Sequence, residues 1–355
     1  MNQLSLNLAT HFKLPTGILG AAVTNDGTSL AAACMDGVYL ANLKDKSFEK
    51  INEHSSYVSS AEFINDESTI VTAGYDGRLQ WYDLSSKSRT RELQLHEFWS
   101  WDMAVSPDRK LIASVTGQYL AGGYKYEPAA ETEPCVRILS ADIGKILLSL
   151  PHVPSVQAVA FSPDNQFVAA GNLMGEVRIW NVNTGELAAS WTTSDFTSWG
   201  IIKSHSYLGG IFSMAFTPDS TQLLLAGMGP MNDPMAGNGR QLWQKWALQQ
   251  TPPAKIDETH KDESGEGLME TLSVHPDGTR FVMGGRLRGG DWNVAMFELE
   301  SGTRIATLKT GYRVTQATFS TDGSKLILVG TQGQPNKSKE GTYPKFGRIE
   351  VYDLA

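Results

Sequence analysis

One pattern of apolar and polar positions recurs along the chain: a short alternating apolar run, a tight polar turn containing Asp, and a second apolar run. Alternation with a period of two is typical of β-strands, and Asp beside Pro, Gly, Asn or Ser is typical of the turns between them. The phrase occurs seven times, with turn aspartates at Asp26, Asp66, Asp108, Asp164, Asp219, Asp277 and Asp322. Each copy therefore predicts a hairpin of two antiparallel strands.

A third alternating run follows most of the hairpins, as in GRLQWYDL from Gly77 and EVRIWNV from Glu176. A polar turn and a fourth short run come next, so each repeat predicts four strands. Self-similar units of this size indicate a repeat architecture in which each unit buries its apolar faces against its neighbours. The sequence thus predicts an all-β chain of seven four-stranded antiparallel units, with residues 1–355 forming a single domain.

The second repeat carries the fullest set of motif residues. His54 precedes its first strand, Thr72 lies on its second, Asp76 is in the following turn and Trp81 is on its third. With its Trp-Tyr-Asp ending the repeat resembles the WD-repeat family, and the resemblance covers nearly the whole chain. The family implies a seven-bladed β-propeller in which His54, Thr72, Asp76 and Trp81 form a hydrogen-bonded relay with a structural rather than catalytic role.

The two ends of the chain predict how the ring closes. The last repeat stops after its third strand, and an unmatched strand-like run at residues 4–12 precedes the first hairpin. A blade without its outer strand would leave an open sheet edge. Members of the WD-repeat family generally close the ring by strand exchange, so we expect the N-terminal run to complete the last blade.

Loop length distinguishes the two faces of the predicted disc. Turns between strands one and two, and between strands three and four, are short and share one face, which we call the plain face. The opposite face, called here the long-loop face, carries the connections at residues 118–134, 192–210, 228–239, 251–267, 286–291 and 331–346. Long loops in a compact domain are uncommon and tend to be functional. We therefore expect a partner to bind on the long-loop face.

Aromatic, Met and Arg side chains, which are enriched at the centres of protein interfaces, are frequent in these loops. The predicted partner-binding residues are Trp99, Trp101, Tyr119, Tyr124, Trp199, Tyr207, Met231, Met235, Arg286, Arg288, Trp292, Lys337 and Tyr343. A structural alternative applies to each of them, above all to Trp99 and Trp101, which would hold their loop against the ring. The cations among them would steer an acidic partner.

Composition narrows the classes of partner and compartment. The net charge of -8 disfavours nucleic acids and anionic membranes, whose phosphates bind basic patches. The two cysteines, Cys34 and Cys135, are too few for a disulfide framework, and no apolar stretch is long enough for a membrane span. We therefore expect a cytoplasmic protein that binds neither nucleic acid nor membrane.

Motifs typical of catalysis are absent from the sequence, which has no G-x-S-x-G elbow, Walker loop or H-E-x-x-H. Six of the seven histidines precede first strands, but they would lie a blade apart, too far to share a metal ion. We therefore expect no cofactor and no metal, and a non-enzymatic scaffold for a partner protein or peptide. The alternative is a propeller-type enzyme or small-ligand binder in which His205, His260 and Asp291 converge on the channel mouth.

Overall fold

The computed structural model describes residues 5–120, 127–196, 210–233, 238–261, 263, 267–286, 290–333, 337–341 and 344–354. These residues form seven antiparallel sheets of four strands each, together with one two-stranded ladder. The first strand of each sheet contacts the first strands of the neighbouring sheets, so the sheets stand as blades in a ring. The predicted seven-bladed β-propeller is confirmed.

The first three blades follow an opening strand, β1 (Leu6–Leu14). Blade one contains β2 (Ile18–Val23), β3 (Ser29–Cys34), β4 (Gly37–Asn42) and β5 (Phe48–Asn52). Blade two contains β6 (Val58–Ile64), β7 (Thr69–Gly74), β8 (Arg78–Asp83) and β9 (Ser88–Gln94). Blade three contains β10 (Asp102–Val105) and β11 (Leu111–Val115), a short ladder of β12 (Tyr119–Leu120) and β13 (Glu127–Pro128), and then β14 (Val136–Ser140) and β15 (Ile146–Leu150).

The remaining blades have the same order of strands. Blade four contains β16 (Val156–Phe161), β17 (Phe167–Asn172), β18 (Glu176–Asn181) and β19 (Leu187–Thr192), followed by one 3-10 turn (Ser194–Phe196). Blade five contains β20 (Gly210–Phe216), β21 (Gln222–Asp233), β22 (Asn238–Ala247) and β23 (Ala254–Glu258). Blade six contains β24 (Met269–Val274), β25 (Arg280–Gly285), β26 (Val294–Glu298) and β27 (Arg304–Leu308). Blade seven contains β28 (Arg313–Phe319), β29 (Lys325–Thr331) and β30 (Gly347–Leu354), with β1 outermost.

The N-terminal strand closes the ring as predicted. Strand β1 pairs antiparallel with β30, from Leu6 opposite Leu354 to Leu14 opposite Gly347. Leu14 is fully buried in a cluster with residues of blade one and with Ile349 of β30. Backbone pairing and apolar contacts therefore join the two ends of the chain.

The hairpin turns follow from the side chain of the recurrent Asp. At Asp108 the carboxylate accepts the hydroxyl of Ser106 at 2.7 Å and the N–H of Lys110 at 3.1 Å. The same two contacts occur at Asp164 and Asp322. A carboxylate that bonds the backbone two residues later stabilises a tight turn. The repeated Asp is therefore a turn residue rather than a ligand.

The apolar core lies between blades rather than within them, since each sheet has two apolar faces. One cluster combines Val136 and Ile138 of blade three with Val168 and Trp180 of blade four. Another combines Trp81 of blade two with residues of blade three. Each blade is thus stabilised by its neighbours, which leaves the polar edges of the first strands to line a central channel. None of the described residues forms a helix with the length and apolar character that a membrane crossing requires.

Blade five differs from the expectation of a long irregular loop at residues 228–239. Strands β21 and β22 extend to Asp233 and from Asn238, with Met228 opposite Gln241 and Asp233 opposite Asn238. The ladder contains irregularities on both sides of Met231, which explains why the sequence shows no alternation here. The two strands therefore stay paired beyond Met228 on the long-loop face.

Candidate functional site

The central channel opens on the long-loop face as a cavity of about 620 Å³. Its walls are residues of the innermost strands, such as Ser59 on β6 and Ser213 on β20, together with side chains from the loops above. Concave sites with a few convergent polar groups are the usual places for ligands and partner side chains to bind. The cavity is therefore the candidate functional site.

An aromatic wall, made of Tyr75, Trp99, Trp101 and Tyr119, forms one side of this mouth. The rings of Tyr75 and Trp99 stack with centroids 4.6 Å apart and planes inclined by 6°. Trp101 meets Trp99 edge to face at 5.1 Å, and Tyr119 lies 6.5 Å from Trp101. Trp99 is 39% exposed and Tyr119 is 36% exposed, so the wall presents apolar surface to solvent.

A charged group of Arg286, Glu270 and Arg313 contributes to the lining of the same mouth. Glu270 accepts a hydrogen bond from Arg286 at 3.0 Å and another from Arg313 at 2.5 Å. Two guanidinium groups share one carboxylate, so the group carries one net positive charge. Burial is the main cause that raises the pKa of the Tyr75 hydroxyl, and the charges of Arg313, Glu270 and Arg286 have smaller effects on it.

Four of the predicted partner-binding residues, Trp99, Trp101, Tyr119 and Arg286, come together at this cavity. Trp101 also supports the structural alternative, because its indole N–H donates to the carbonyl of Gly117 at 2.9 Å. Lys337 is exposed on blade seven and does not line the cavity. Seven predictions lie outside the described residues or their described side chains: Tyr124, Trp199, Tyr207, Met231, Met235, Arg288 and Tyr343.

Trp292, a predicted partner-binding residue, is buried in the core rather than exposed at the cavity. Its side chain is 5% exposed and lies in the core cluster with Trp243 and Phe297. The guanidinium of Arg304 lies 5.5 Å from the ring centroid and covers it further. Trp292 stands two residues before β26, and its side chain packs in the space between blades five and six.

Several residues of the mouth were not predicted, namely Tyr75, Glu62, Asp102, Glu270 and Arg313. Tyr75 lies in a short turn, whereas the prediction considered long loops. The charged residues lie on the first strands of their blades. A charged residue within an otherwise apolar run is the sequence feature that could have indicated them. Such a charge faces either solvent or the channel, and only the ring geometry shows that it faces the channel.

The blade-two relay is present with three members rather than four. His54 Nδ1 lies 3.0 Å from Asp76 Oδ1, and His54 Nε2 lies 2.9 Å from Thr72 Oγ1. The indole of Trp81 does not join this line, because it donates to the carbonyl of Ala141 at 2.7 Å. Trp81 faces blade three, so its hydrogen bond connects two blades instead of completing the relay.

Asp76 is the acceptor on which this relay depends. Burial alone would raise the pKa of Asp76, but the hydrogen bond and charge of His54 and the N–H groups of Arg78 and Ser55 lower it to about 2. The folded state therefore favours the carboxylate, and its contribution to stability is present above the ordinary pKa of 3.8. That contribution is lost as the pH falls through about 2.

We expect Asp76→Ala to lower the free energy of unfolding by about 1 to 3 kcal/mol at pH 7, because His54 and two backbone N–H groups lose their acceptor. The difference from the parent should shrink between pH 4 and pH 2, where the parent itself becomes protonated. Urea unfolding at several pH values measures both effects. Asp142→Ala, at an exposed turn, is the control. Equal stability of Asp76→Ala and the parent at pH 7 would contradict the structural role.

Blade three contains a second line of hydroxyl, imidazole and carboxylate. His96 Nε2 lies 2.9 Å from Ser114 Oγ, and His96 Nδ1 lies 3.8 Å from Glu133. Such a line resembles a catalytic triad, but Ser114 is fully buried and lies away from the channel cavity. The Ser114 hydroxyl cannot contact a substrate there, so this line of three side chains contributes to the stability of the fold.

The convergence of histidines expected for an enzyme is not found in the described part of the chain. His260 contacts Asp257 at 3.3 Å, Asp291 is exposed, and neither lines the cavity. His205 lies outside the described residues. Among those that are described, no group of three or more His, Cys, Asp or Glu side chains could hold a metal ion.

Comparison with known proteins identifies two repeats directly. Residues 46–83 and 144–181 match the family model described as WD domain, G-beta repeat. The first match covers β5 to β8 and the second covers β15 to β18, so each spans the outer strand of one blade and three strands of the next.

Similar curated proteins include telomerase protein component 1 of Mus musculus, which is 28% identical over 193 residues, covering 53% of this chain and 7% of that protein. Apoptotic protease-activating factor 1 of Rattus norvegicus is 24% identical over 209 residues, covering 58% of this chain and 15% of that protein. Actin-interacting protein 1 of Drosophila melanogaster is 36% identical over 73 residues, covering 21% and 10%. The chain thus spans a small part of the length of these relatives. Two matched repeats within a ring of seven four-stranded blades support a WD-repeat β-propeller.

Proposed function

We propose that this chain is a non-enzymatic scaffold that binds a partner protein or peptide at the channel mouth on the long-loop face. Members of the WD-repeat family generally act as protein interaction scaffolds. The long-loop face is favoured as the binding face because its cavity has an exposed aromatic wall beside the group of Arg286, Glu270 and Arg313.

The chemistry of this mouth fits a protein partner. Aromatic and Arg side chains contribute most of the binding energy in many interfaces. Tyr and Trp do so because they bury large areas with few rotatable bonds. The wall is already stacked, so binding would order few side chains. Its neighbouring net positive charge stands out on a chain with a net charge of -8, and it favours an acidic group of the partner.

The proposal predicts that the double variant Trp99→Ala with Arg286→Ala captures its main partner from native lysate at least tenfold less strongly than the intact chain. Loss of one exposed aromatic and one exposed cation from an interface costs about 1 to 2 kcal/mol or more. The measurement is quantitative mass spectrometry of bound proteins at equal bait concentration.

The matched control is Leu187→Ala with Lys110→Ala. Leu187 is 53% exposed on the outer strand β19, and the Lys110 side chain is 79% exposed on the plain face. This variant should retain the partner. If both variants capture the partner equally, the channel mouth is not the binding site and the proposal fails.

A further inference from the structure

Two carboxylates lie inside the channel beneath the aromatic wall. Glu62 is on β6 and Asp102 begins β10, so they project from the innermost strands of adjacent blades, and both line the cavity. Asp102 accepts the N–H of Met103 at 2.9 Å and of Val159 at 3.1 Å. The Glu62 carboxylate makes no hydrogen bond or ion pair with any residue that the structure describes.

The charges that face this pair do not neutralise it. Arg109 approaches Glu62 from the plain face, but its guanidinium contacts Glu67 at 3.3 Å and Asn25 at 3.1 Å. At the other end, Arg286 and Arg313 share Glu270. Glu62 and Asp102 are only partly exposed, and a cation supplied by a ligand would offset the hydration that they lose in the channel.

The pKa values of both carboxyl groups are raised. Burial, followed by the charge of Asp102, raises the pKa of Glu62 to about 8. Burial raises the pKa of Asp102 to about 7, against the opposing effect of its two backbone hydrogen bonds. A cation bound beside these two groups would favour their charged forms and displace the protons that they hold.

We propose that the channel receives an arginine side chain of the partner, with its guanidinium on Glu62 and Asp102 and its stem along the aromatic wall. This inference rests on the proposed function and names the group that the site selects. A planar guanidinium stacks on aromatic faces and pairs with carboxylates through two parallel hydrogen bonds, which an ammonium cannot do. Calcium and magnesium prefer six or more oxygen ligands, and two carboxylates fall short of that set.

The test uses an acetylated, amidated nonapeptide of Gly and Ser with one central Arg between two Asp residues. Two matched peptides carry citrulline, which has the same shape without the charge, or Lys in place of the Arg. By isothermal titration calorimetry at pH 8, we expect the arginine peptide to bind at least tenfold more tightly than the citrulline peptide and more tightly than the lysine peptide. Equal affinity for arginine and citrulline, or for arginine and lysine, would overturn the inference.

Glu62→Gln should reduce the preference for arginine over citrulline to less than threefold, because it keeps the shape of the side chain and removes its charge. Its melting temperature should equal or exceed that of the parent, since the Glu62 carboxylate has no partner to lose. Asp102→Asn is the second variant. Glu97→Gln, on an exposed residue outside the cavity, is the control and should retain the full preference. A preference that survives in Glu62→Gln and in Asp102→Asn would overturn the inference.

The pH dependence gives an independent readout. The affinity of the intact chain for the arginine peptide should rise roughly tenfold between pH 6 and pH 8, because one pKa unit corresponds to a tenfold change and the acids are protonated at the lower pH. Proton release should appear as a dependence of the binding enthalpy on the buffer. The slope should flatten in the double variant of Glu62→Gln with Asp102→Asn. A flat profile in the intact chain would count against the channel carboxylates.

Failure of this inference and failure of the proposed function give different results. If the arginine preference is absent while Trp99→Ala with Arg286→Ala still loses the native partner, the mouth binds a partner that does not insert an arginine. If that double variant keeps the native partner, the proposed function itself fails, whatever the peptides show.

Discussion

A chain that lacks residues 1–12 should unfold at a lower temperature than the intact protein and should aggregate as it is concentrated. The deletion removes most of β1, which supplies the outer strand of blade seven through its ladder with β30. Ladder hydrogen bonds contribute about 1 kcal/mol each, and Leu6 and Phe12 also lose their contacts with the core. We expect a loss of about 5 kcal/mol or more.

The aggregation has a separate physical cause, which is the row of unpaired backbone groups left on β30. Deleting only residues 1–5 is the matched control, because β1 begins at Leu6. Thermal melting followed by circular dichroism, with size-exclusion chromatography at two concentrations, measures both effects. An unchanged melting temperature and a monomeric profile for the longer deletion would show that β1 does not hold the ring closed.

The fold was predictable because its determinants are local and repeated. Six of the seven turn Asp side chains, including Asp108, bond to their own neighbours in the hairpin turn, so the signal does not depend on distant contacts. The ladder of β21 and β22 beyond Met228 was not predicted, because Gly, Pro and Asn in that segment indicate a loop and its irregular pairing removes the alternation.

The candidate site was predictable in part, and the reason is geometric. The sequence pattern placed Trp99, Tyr119 and Arg286 on the long-loop face, and the ring brings them to one cavity. Glu62 and Asp102 were missed because the direction in which a first-strand residue points depends on ring closure. Three members of the blade-two relay formed as expected. The orientation of Trp81 is set by its packing against blade three, and a motif within one blade cannot predict a contact with the next.

Two tryptophans that were both predicted to bind a partner, Trp99 and Trp292, differ in their burial, and this difference gives the second prediction. We expect Trp292→Ala to lower the free energy of unfolding by about 3 to 5 kcal/mol, the usual cost of removing a buried Trp from a core. Its indole fills space among Trp243, Phe297 and Met269 between blades five and six. Urea unfolding, analysed for both midpoint and slope, measures this loss.

Trp99→Ala is the matched comparison, since it removes the same side chain from an exposed position. It should cost less stability than Trp292→Ala, because the ring of Trp99 is 39% exposed against 5% for Trp292. At 4 °C, where both variants remain folded, Trp292→Ala should retain the native partner and Trp99→Ala should lose affinity for it. The reverse pattern, with a stable Trp292→Ala that no longer captures the partner, would move the binding surface from the channel mouth to the loop before β26.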